Sequence, residues 1–173
     1  MSGGFSASRV QRFAPDRLAT EREALAQQLD YHRATLLRKL EGLDDQALRR
    51  PMTASGLSLL GLLKHLAGTE RGWFLEIFAG RSDAEPQPTD SDPNSDFQVR
   101  PGETVDSLVD RYVRTCEQAR KIVAAAGLDD TCTTPWGARV NLRAILLHMI
   151  QETARHNGHA DIIRESIDGT TGQ

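Results

Sequence analysis

The sequence has little cysteine, few aromatic residues and no excess of positive charge. Its two cysteines, Cys116 and Cys132, are too few for a disulfide framework and do not form a Cys-x-x-Cys pair. The formal net charge is −3, and no basic stripe with interleaved aromatic residues is present. These absences exclude a disulfide-rich scaffold and argue against a nucleic-acid-binding protein.

Long apolar runs are absent as well. No segment approaches the roughly 18 uninterrupted apolar residues that a membrane-spanning helix needs. The first eight residues, MSGGFSAS, lack the apolar core of a secretory signal, so we expect a cytoplasmic protein without a membrane partner. A chain of 173 residues, 39% of them hydrophobic, is long enough to build one core of its own.

Apolar residues recur at helical spacing in four segments, and no segment convincingly predicts a strand. The first predicted helix spans residues 16–43, and its apolar side carries Leu18, Leu25, Leu29, Leu36, Leu40 and Leu43. The other three begin after the capping residues Ser58, Thr104 and Asn141 and end near Ala79, Ala126 and Ile167. The pattern predicts an all-α protein, a four-helix bundle of the kind in which metal sites form between facing helices.

Two segments have no such periodicity. Residues 1–15 are rich in glycine and serine and end at Pro15, which predicts a flexible N-terminal arm followed by a single domain over 16–173. Residues 80–103 form a long acidic connection that contains several prolines. Long connections of this type in compact domains are either functional or disordered.

The fourth predicted helix carries an unusual set of polar residues. Glu152 and His156 lie four residues apart, and at ~100° of rotation per residue they share an arc of about 80° with His148 and His159. The same arc carries Ile145, Met149 and Ile163, so it faces inward. Buried imidazoles and a carboxylate are costly unless they are compensated. A divalent metal would compensate them, because Glu-x-x-x-His places two ligands one helical turn apart.

His65, on the inward face of the second predicted helix, is the candidate third ligand. A single histidine on an apolar face is more often a hydrogen-bonded core residue, so its interpretation as a ligand depends on Glu152 and His156. Two histidines and one glutamate leave an open coordination position, as in catalytic zinc sites, and the same set suits iron or nickel. His148 and His159 are candidates for hydrogen bonds to a ligand or to metal-bound water. The alternative is that both are solvated histidines at the rim of the bundle.

The remaining titratable candidates favour structural roles. His32 lies on the apolar side of the first helix, which favours a core histidine over a metal ligand. Cys116 lies in the apolar stripe of the third helix and is interpreted as core packing. Cys132 stands near Asp129 and Asp130, whose charges should raise its thiol pKa and argue against a nucleophile.

Three segments resemble the DinB superfamily, in particular its actinobacterial branch of mini-circle-like, DinB/YfiT-related proteins. They are YHRATLLRKLEGL (31–43), LLGLLKHLAGTERGWF (59–74) and LHMIQETARHNGHADIIRESIDGTTG (147–172), and the resemblance runs from about residue 15 to the end. It implies a four-helix bundle of the up-down-down-up type, often dimeric, with a divalent metal held by His65, Glu152 and His156. Many members carry a second histidine where this chain has Glu152. Others, including the mycothiol-dependent maleylpyruvate isomerase, use Glu-x-x-x-His as found here.

The same resemblance implies a metal-dependent thiol S-transferase or isomerase that works with a low-molecular-weight thiol of the mycothiol type. Zinc is the expected metal, with nickel and iron as alternatives. Arg143 and Arg155 are candidates to anchor a substrate carboxylate, although surface charges are the plainer interpretation. The alternative functions are a non-catalytic module that binds metal or a small molecule, and a dimeric scaffold with a vestigial site. We expect a homodimer, with Phe74 and Phe78 pointing away from His65 toward a partner.

Overall fold

The structure, a computed structural model, describes residues 11–81 and 95–172, and in these ranges it is mostly helical. The α-helices are α1 (Glu21–Arg38), α2 (Asp45–Arg49), α3 (Leu59–Glu70), α4 (Val105–Ala125) and α5 (Leu142–Asp168). A π-helical segment, Arg71–Phe78, directly follows α3, and a single 3₁₀ turn, Ser95–Phe97, precedes α4. The prediction of a helical protein is therefore confirmed.

The caps predicted for the later helices form as expected. Ser58, Thr104 and Asn141 each accept a hydrogen bond from the backbone N–H three residues ahead, at 3.1, 3.1 and 2.9 Å. Each bond satisfies one of the amides that a helix leaves without an internal partner at its start. α5 ends at Gly169, whose φ of +76° is the left-handed conformation that favours glycine.

The first predicted helix was wrong at both ends. α1 begins at Glu21, because Thr20 and Glu23 form a capping box in which the Thr20 N–H donates to Glu23 Oε2 at 3.0 Å. Leu18 therefore precedes the helix and is 94% exposed, so it does not belong to the apolar stripe. The helix stops at Arg38, and a separate short helix, α2, follows in the segment that we predicted as a connection.

The prediction that the chain contains no strand was also wrong. β1 (Thr131–Thr133) and β2 (Arg139–Asn141) pair antiparallel, with Thr131 opposite Asn141 and Thr133 opposite Arg139. Three residues are too few to show the alternation that identifies a strand in sequence. The connecting turn carries Trp136 and Gly137, the latter at φ +85°.

The core consists of two clusters of buried side chains. One joins the second half of α1 to α3, the first half of α4 and the end of α5, and the other joins the start of α1 to the π-helical segment, the second half of α4 and the start of α5. α1 packs chiefly against α5, and α3 against α4. Residues 152–159 of α5 fall between the parts of that helix that enter the two clusters. The polar stretch 152–159 of α5 therefore lies between two segments of the same helix that are buried in the core.

Phe74 does not face a partner chain as we expected, and part of the predicted N-terminal arm contacts α1. Phe74 is fully buried in the second cluster, so it is not available to a partner chain, and Phe78 is partly buried against the same cluster. Part of the predicted N-terminal arm lies against α1: Arg12 Nη1 donates to Thr35 Oγ1 at 3.4 Å, and its guanidinium lies 5.0 Å from the Tyr31 ring centroid. Residues 1–10 lie outside the described residues. Among those described, no helix has the length and apolar character that crossing a membrane requires.

Candidate metal centre

Three side chains from two helices converge at one point. His65 extends from α3, and its Nε2 lies 3.3 Å from Glu152 Oε1 on α5. His156, one turn further along α5, brings its Nε2 to 3.0 Å from the same oxygen. One donor atom from each residue lies within 4.8 Å of the other two. Two ligands of a tetrahedral zinc, each about 2.0–2.1 Å from the metal, are about 3.3 Å apart, so this spacing fits a shared cation.

The donor group can be reached from the surface. The side chain of His156 is buried, whereas those of His65 and Glu152 are 14% and 18% exposed. A structural metal site is normally closed by four protein ligands, but a catalytic one keeps a position open. The partial exposure of His65 and Glu152 is compatible with a site of the second kind.

Asp96 is a functional candidate that the sequence analysis missed. Its Oδ2 lies 2.5 Å from His65 Nδ1, and it belongs to the 3₁₀ turn inside the acidic connection. An ionised carboxylate only accepts hydrogen bonds, so Nδ1 carries the proton and the Nε2 lone pair of a neutral His65 points at Glu152. Two lone pairs then face each other across 3.3 Å, a contact that a cation between them would make favourable. Carboxylates commonly hold metal-binding histidines in this way.

The second imidazole also has an outer neighbour. Nδ1 of His159 lies 3.4 Å from Nδ1 of His156, which places His159 where an orienting residue is expected. Phe97 stacks on the His65 ring at a centroid distance of 4.0 Å and an interplanar angle of 12°, and so covers one face of that ligand. His148 instead packs against Trp73, with ring centroids 4.7 Å apart. Of the two histidines proposed as partners for the ligands, the structure brings only His159 to them.

The protonation states suit metal binding. Burial raises the pKa of Glu152, but the adjacent imidazoles of His65 and His156, in their protonated forms, outweigh it, so the pKa lies below its ordinary value. Burial lowers the pKa of His156, and a protonated His65 would lower it further, against the opposing effect of Glu152. Near neutral pH the carboxyl is therefore ionised and His156 is neutral, which are the forms that coordinate a metal.

Of the two arginines proposed as carboxylate anchors, Arg143 lies away from the donor group. Arg143 is in the first turn of α5 and forms ion pairs with Glu21, at 2.7 Å, and with Asp129. It is nine residues from Glu152, about 13.5 Å along the helix. Arg155 is exposed on α5. Arg143 thus ties α5 to the start of α1 and does not line the donor group.

Cys116 occupies the core position expected of it, whereas His32 is only partly buried and Cys132 lies in β1, where burial and not its acidic neighbours raises its pKa. The His32 ring contacts Gln28 Nε2 at 3.1 Å and Asn157 Nδ2 at 3.5 Å, and it is not among the converging donors. Burial raises the pKa of Cys116 to about 12 and also raises that of the partly buried Cys132. Neither thiol is suited to act as a nucleophile near neutral pH.

A cleft of about 490 Å³ opens beside the donors. Its wall includes Asp96 and Thr69, both of which contact His65: Thr69 Oγ1 donates to the His65 carbonyl at 3.0 Å and lies 3.5 Å from its Nε2. The π-helical segment contributes Trp73, and the hairpin turn contributes Trp136. The volume is within the range of roughly 300–1,000 Å³ that is common for small-molecule sites.

Comparison with known proteins supports this description. A conserved protein of a locus from Enterococcus faecalis, known from its crystal structure, superposes with a TM-score of 0.65 at 16% identity, covering 88% of this chain and 99% of its own. At that identity the likeness shows the fold alone. No curated protein matches the chain. The family model described as Mycothiol-S-transferase matches residues 24–169, which is most of the sequence. The chain therefore belongs to the mycothiol S-transferase family, part of the DinB/YfiT-like superfamily that its motifs resemble.

Proposed function

We propose that the protein is a metal-dependent S-transferase that uses a small thiol of the mycothiol type. The observation that carries this proposal is the convergence of His65, Glu152 and His156, open on one side and adjacent to a cleft. Membership of the family supports the choice of thiol. Neither cysteine of the chain is a suitable nucleophile, which is consistent with a thiol supplied from outside.

In such a transfer the sulfur of the thiol bonds to an electrophilic carbon, the leaving group departs with its electron pair, and the thiol proton goes to solvent. His65, Glu152 and His156 would hold the cation, with zinc expected and nickel or iron as alternatives. A bound divalent cation lowers the pKa of a coordinated thiol and so favours the thiolate. Asp96 would keep His65 in the tautomer that presents Nε2, and His159 would restrain the His156 ring.

The test is thiol-dependent conjugation by metal-loaded protein. Mycothiol, glutathione and cysteine are each offered with monochlorobimane and other electrophiles, to wild type, His65→Gln and the matched control His32→Gln. We expect turnover with mycothiol that falls at least about 100-fold in His65→Gln, because a lost ligand removes the metal, and that persists in the control. Equal rates for the two variants, or no thiol-dependent turnover with any pair, would favour a non-catalytic binding module.

Metal content distinguishes the transferase and the non-catalytic binding module from a scaffold that binds no metal. We expect about one divalent ion per chain, and a chelator should lower the melting temperature because the metal binds only the folded state. At a free metal concentration of 100 times Kd the stabilisation is about 2.7 kcal/mol. Protein that melts identically before and after reloading with zinc or nickel would leave a scaffold with a vestigial site.

Three further features are part of the proposal. They are the up-down-down-up order of the bundle, a single domain over 16–173 with a flexible arm before it, and a cytoplasmic homodimer. The dimer now rests on the resemblance and on Phe78, since Phe74 is buried within its own chain. A solution mass of one 19.1 kDa chain at micromolar concentration would count against it.

A further inference from the structure

Both tryptophans of the chain lie in the cleft beside the donor group. Trp73 and Trp136 meet edge to face, with ring centroids 5.9 Å apart and an interplanar angle of 83°. Trp136 is 65% exposed at the turn of the hairpin. An indole left in water at the edge of a cleft gains free energy when a flat apolar molecule covers it. The pair therefore provides a surface for a planar group.

The cleft is cationic although the whole chain is acidic. Its wall carries four cationic residues, Lys64, Arg71, Arg100 and Arg111, and two carboxylates, Asp96 and Glu103, whereas the net charge of the chain is −3. Asp96 is hydrogen-bonded to His65. Glu103 lies 2.8 Å from Lys64 Nζ and 3.8 Å from Arg111 Nη2. Arg71 lies 3.3 Å from Glu76, and both Arg71 and Arg111 take part in further interactions. The two carboxylates of the wall, and three of its four cations, are therefore already paired.

Arg100 is the cation best placed to bind a ligand. Its backbone N–H donates to Glu103 at 2.6 Å, but within residues 11–81 and 95–172 its guanidinium has neither a hydrogen bond nor an ion pair. The residue is exposed, so the guanidinium does not need an internal partner. A guanidinium binds a carboxylate through two parallel hydrogen bonds, which fix orientation as well as add energy.

We propose that this cleft is the subsite for the electrophile, and that it selects a planar aromatic or conjugated molecule that carries a carboxylate. The flat part would lie against Trp73 and Trp136, and the carboxylate would bind Arg100. This inference rests on the proposed transferase function and adds the substrate class to it. A neutral sugar-type ligand would give the guanidinium of Arg100 no counter-charge, which is why the subsite is assigned to the electrophile and not to the thiol.

The position of the cleft relates the selection of the electrophile to catalysis. Thr69 and Asp96 belong both to its wall and to the surroundings of His65. None of the three donors is among the described residues that line the cleft, but a molecule held there lies against two residues that contact His65. Holding two reactants side by side removes much of the entropic cost of their encounter.

Binding is tested without thiol and without turnover. trans-Cinnamate, trans-cinnamamide and cyclohexanecarboxylate are titrated into metal-loaded and metal-free protein by calorimetry, with tryptophan emission as the indicator of location, because both tryptophans are in the cleft. The first ligand has the ring and the charge, the second lacks the charge, and the third lacks the planar system. We expect cinnamate to bind at least about 10-fold more tightly than either of the others.

Variants separate the contribution of the carboxylate, which would bind Arg100, from that of the planar group, which would pack on the tryptophans. Arg100→Gln should abolish the preference for cinnamate over cinnamamide without weakening the amide, whereas Arg114→Gln, an exposed arginine of α4 outside the cleft, should leave all affinities unchanged. Trp136→Ala should weaken cinnamate and cinnamamide by a similar factor. In the active enzyme, Arg100→Gln should raise KM for carboxylate electrophiles by a larger factor than KM for neutral monochlorobimane.

The proposal is overturned if the three ligands bind alike or not at all, or if Arg100→Gln behaves like Arg114→Gln. It is also overturned if N-acetylglucosamine, and not cinnamate, changes the tryptophan emission, since the sugar part of the thiol would then occupy the cleft. Because binding is measured apart from turnover, failure of the subsite proposal and failure of the proposed transferase function give different results. Thiol-dependent turnover without cinnamate binding removes the subsite alone, and cinnamate binding without turnover removes the transferase.

Discussion

The carbonyl oxygen of Phe97 lies against the α-carbon of Gly61, so close that a methyl group at position 61 would overlap it. Gly61 stands one helical turn before His65 on α3. Phe97 stacks on the His65 ring, and the neighbouring Asp96 contacts its Nδ1. Gly61 is not one of the donors, but it therefore determines how closely the 3₁₀ turn packs against α3.

Gly61→Ala should weaken metal binding by about 10- to 100-fold, because the displaced turn would no longer hold Asp96 on His65. Competition with a chromogenic chelator measures the affinity. Gly68→Ala is the matched control, since a methyl group there has no atom within 4 Å and should slightly stabilise the helix. Equal metal affinities in the two variants would show that the turn does not position the ligand.

Asp96→Asn should also weaken metal binding, by about 10-fold. The amide can still accept from His65 Nδ1, but it lacks the negative charge that makes the imidazole a better donor to the metal. Asp110→Asn, at an exposed carboxylate on α4 that is not among the residues lining the cleft, removes the same charge without changing a contact of His65. The same chelator competition is used, and a loss of similar size in the Asp110 variant would mean that only overall charge matters.

Glu70→Gln should destabilise the fold by up to about 3–5 kcal/mol, because Arg33 loses its buried two-point partner and keeps only the partly exposed Asp30, 2.8 Å from its Nη1. Arg33 Nε and Nη2 bind the two Glu70 oxygens at 2.6 and 2.5 Å, and the residues are 4% and 0% exposed. Urea unfolding gives the free energy. Asp45→Asn, which breaks the exposed pair with Arg49, should cost less than about 1 kcal/mol. A comparably small loss in Glu70→Gln would mean that the ion pair with Asp30 is enough to compensate the charge of Arg33.

The native protein should react with Ellman's reagent first at Cys132 and only slowly at Cys116. Burial raises the pKa of Cys116 to about 12, so almost no thiolate exists near neutral pH and the sulfur is inaccessible. In Cys132→Ser the remaining reaction should follow the rate of unfolding, and strong denaturant should make it fast. Immediate labelling of that variant in buffer would refute the burial of Cys116. Cys132→Ser should keep full transferase activity.

The stability of metal-free protein should decrease between about pH 7 and pH 5, in part because of His32. Burial lowers its pKa in the folded state, so below about pH 6.5 the unfolded chain binds a proton that the folded chain does not yet take up. Stability is therefore lost as the pH falls from the unfolded pKa through the folded one. His32→Gln should make urea-derived free energies less dependent on pH across this window. If the pH dependence of the unfolding free energy is the same in His32→Gln as in wild type, other titratable groups cause the loss of stability.

The sequence predicted the features that depend on local repetition. The caps at Ser58, Thr104 and Asn141 and the pairing of Glu152 with His156 follow from short-range patterns, and their positions agree with the structure. The capping box of Thr20 and Glu23 was also readable from sequence, but the apolar spacing of Leu18 obscured it.

Other features depend on contacts between distant segments. Asp96 is one acidic residue among several in a segment without periodicity, and only its approach to α3 singles it out. The β-hairpin is too short to produce an alternating pattern. The π-helical register after Glu70 leaves no mark in the spacing of apolar residues, although it determines how Trp73 is presented to the cleft. Such contacts are decided by tertiary packing and not by local propensity.

Asn141 is both the last residue of β2 and the cap of α5. The hairpin that carries Trp136 is consequently joined to the helix that carries Glu152 and His156 without an intervening linker. A change in the length of the turn at 134–138 would move the aromatic wall of the cleft while the metal-binding residues stay in register on their helix. Under the proposed function, exchanging only this turn is therefore the shortest route to a different range of electrophiles.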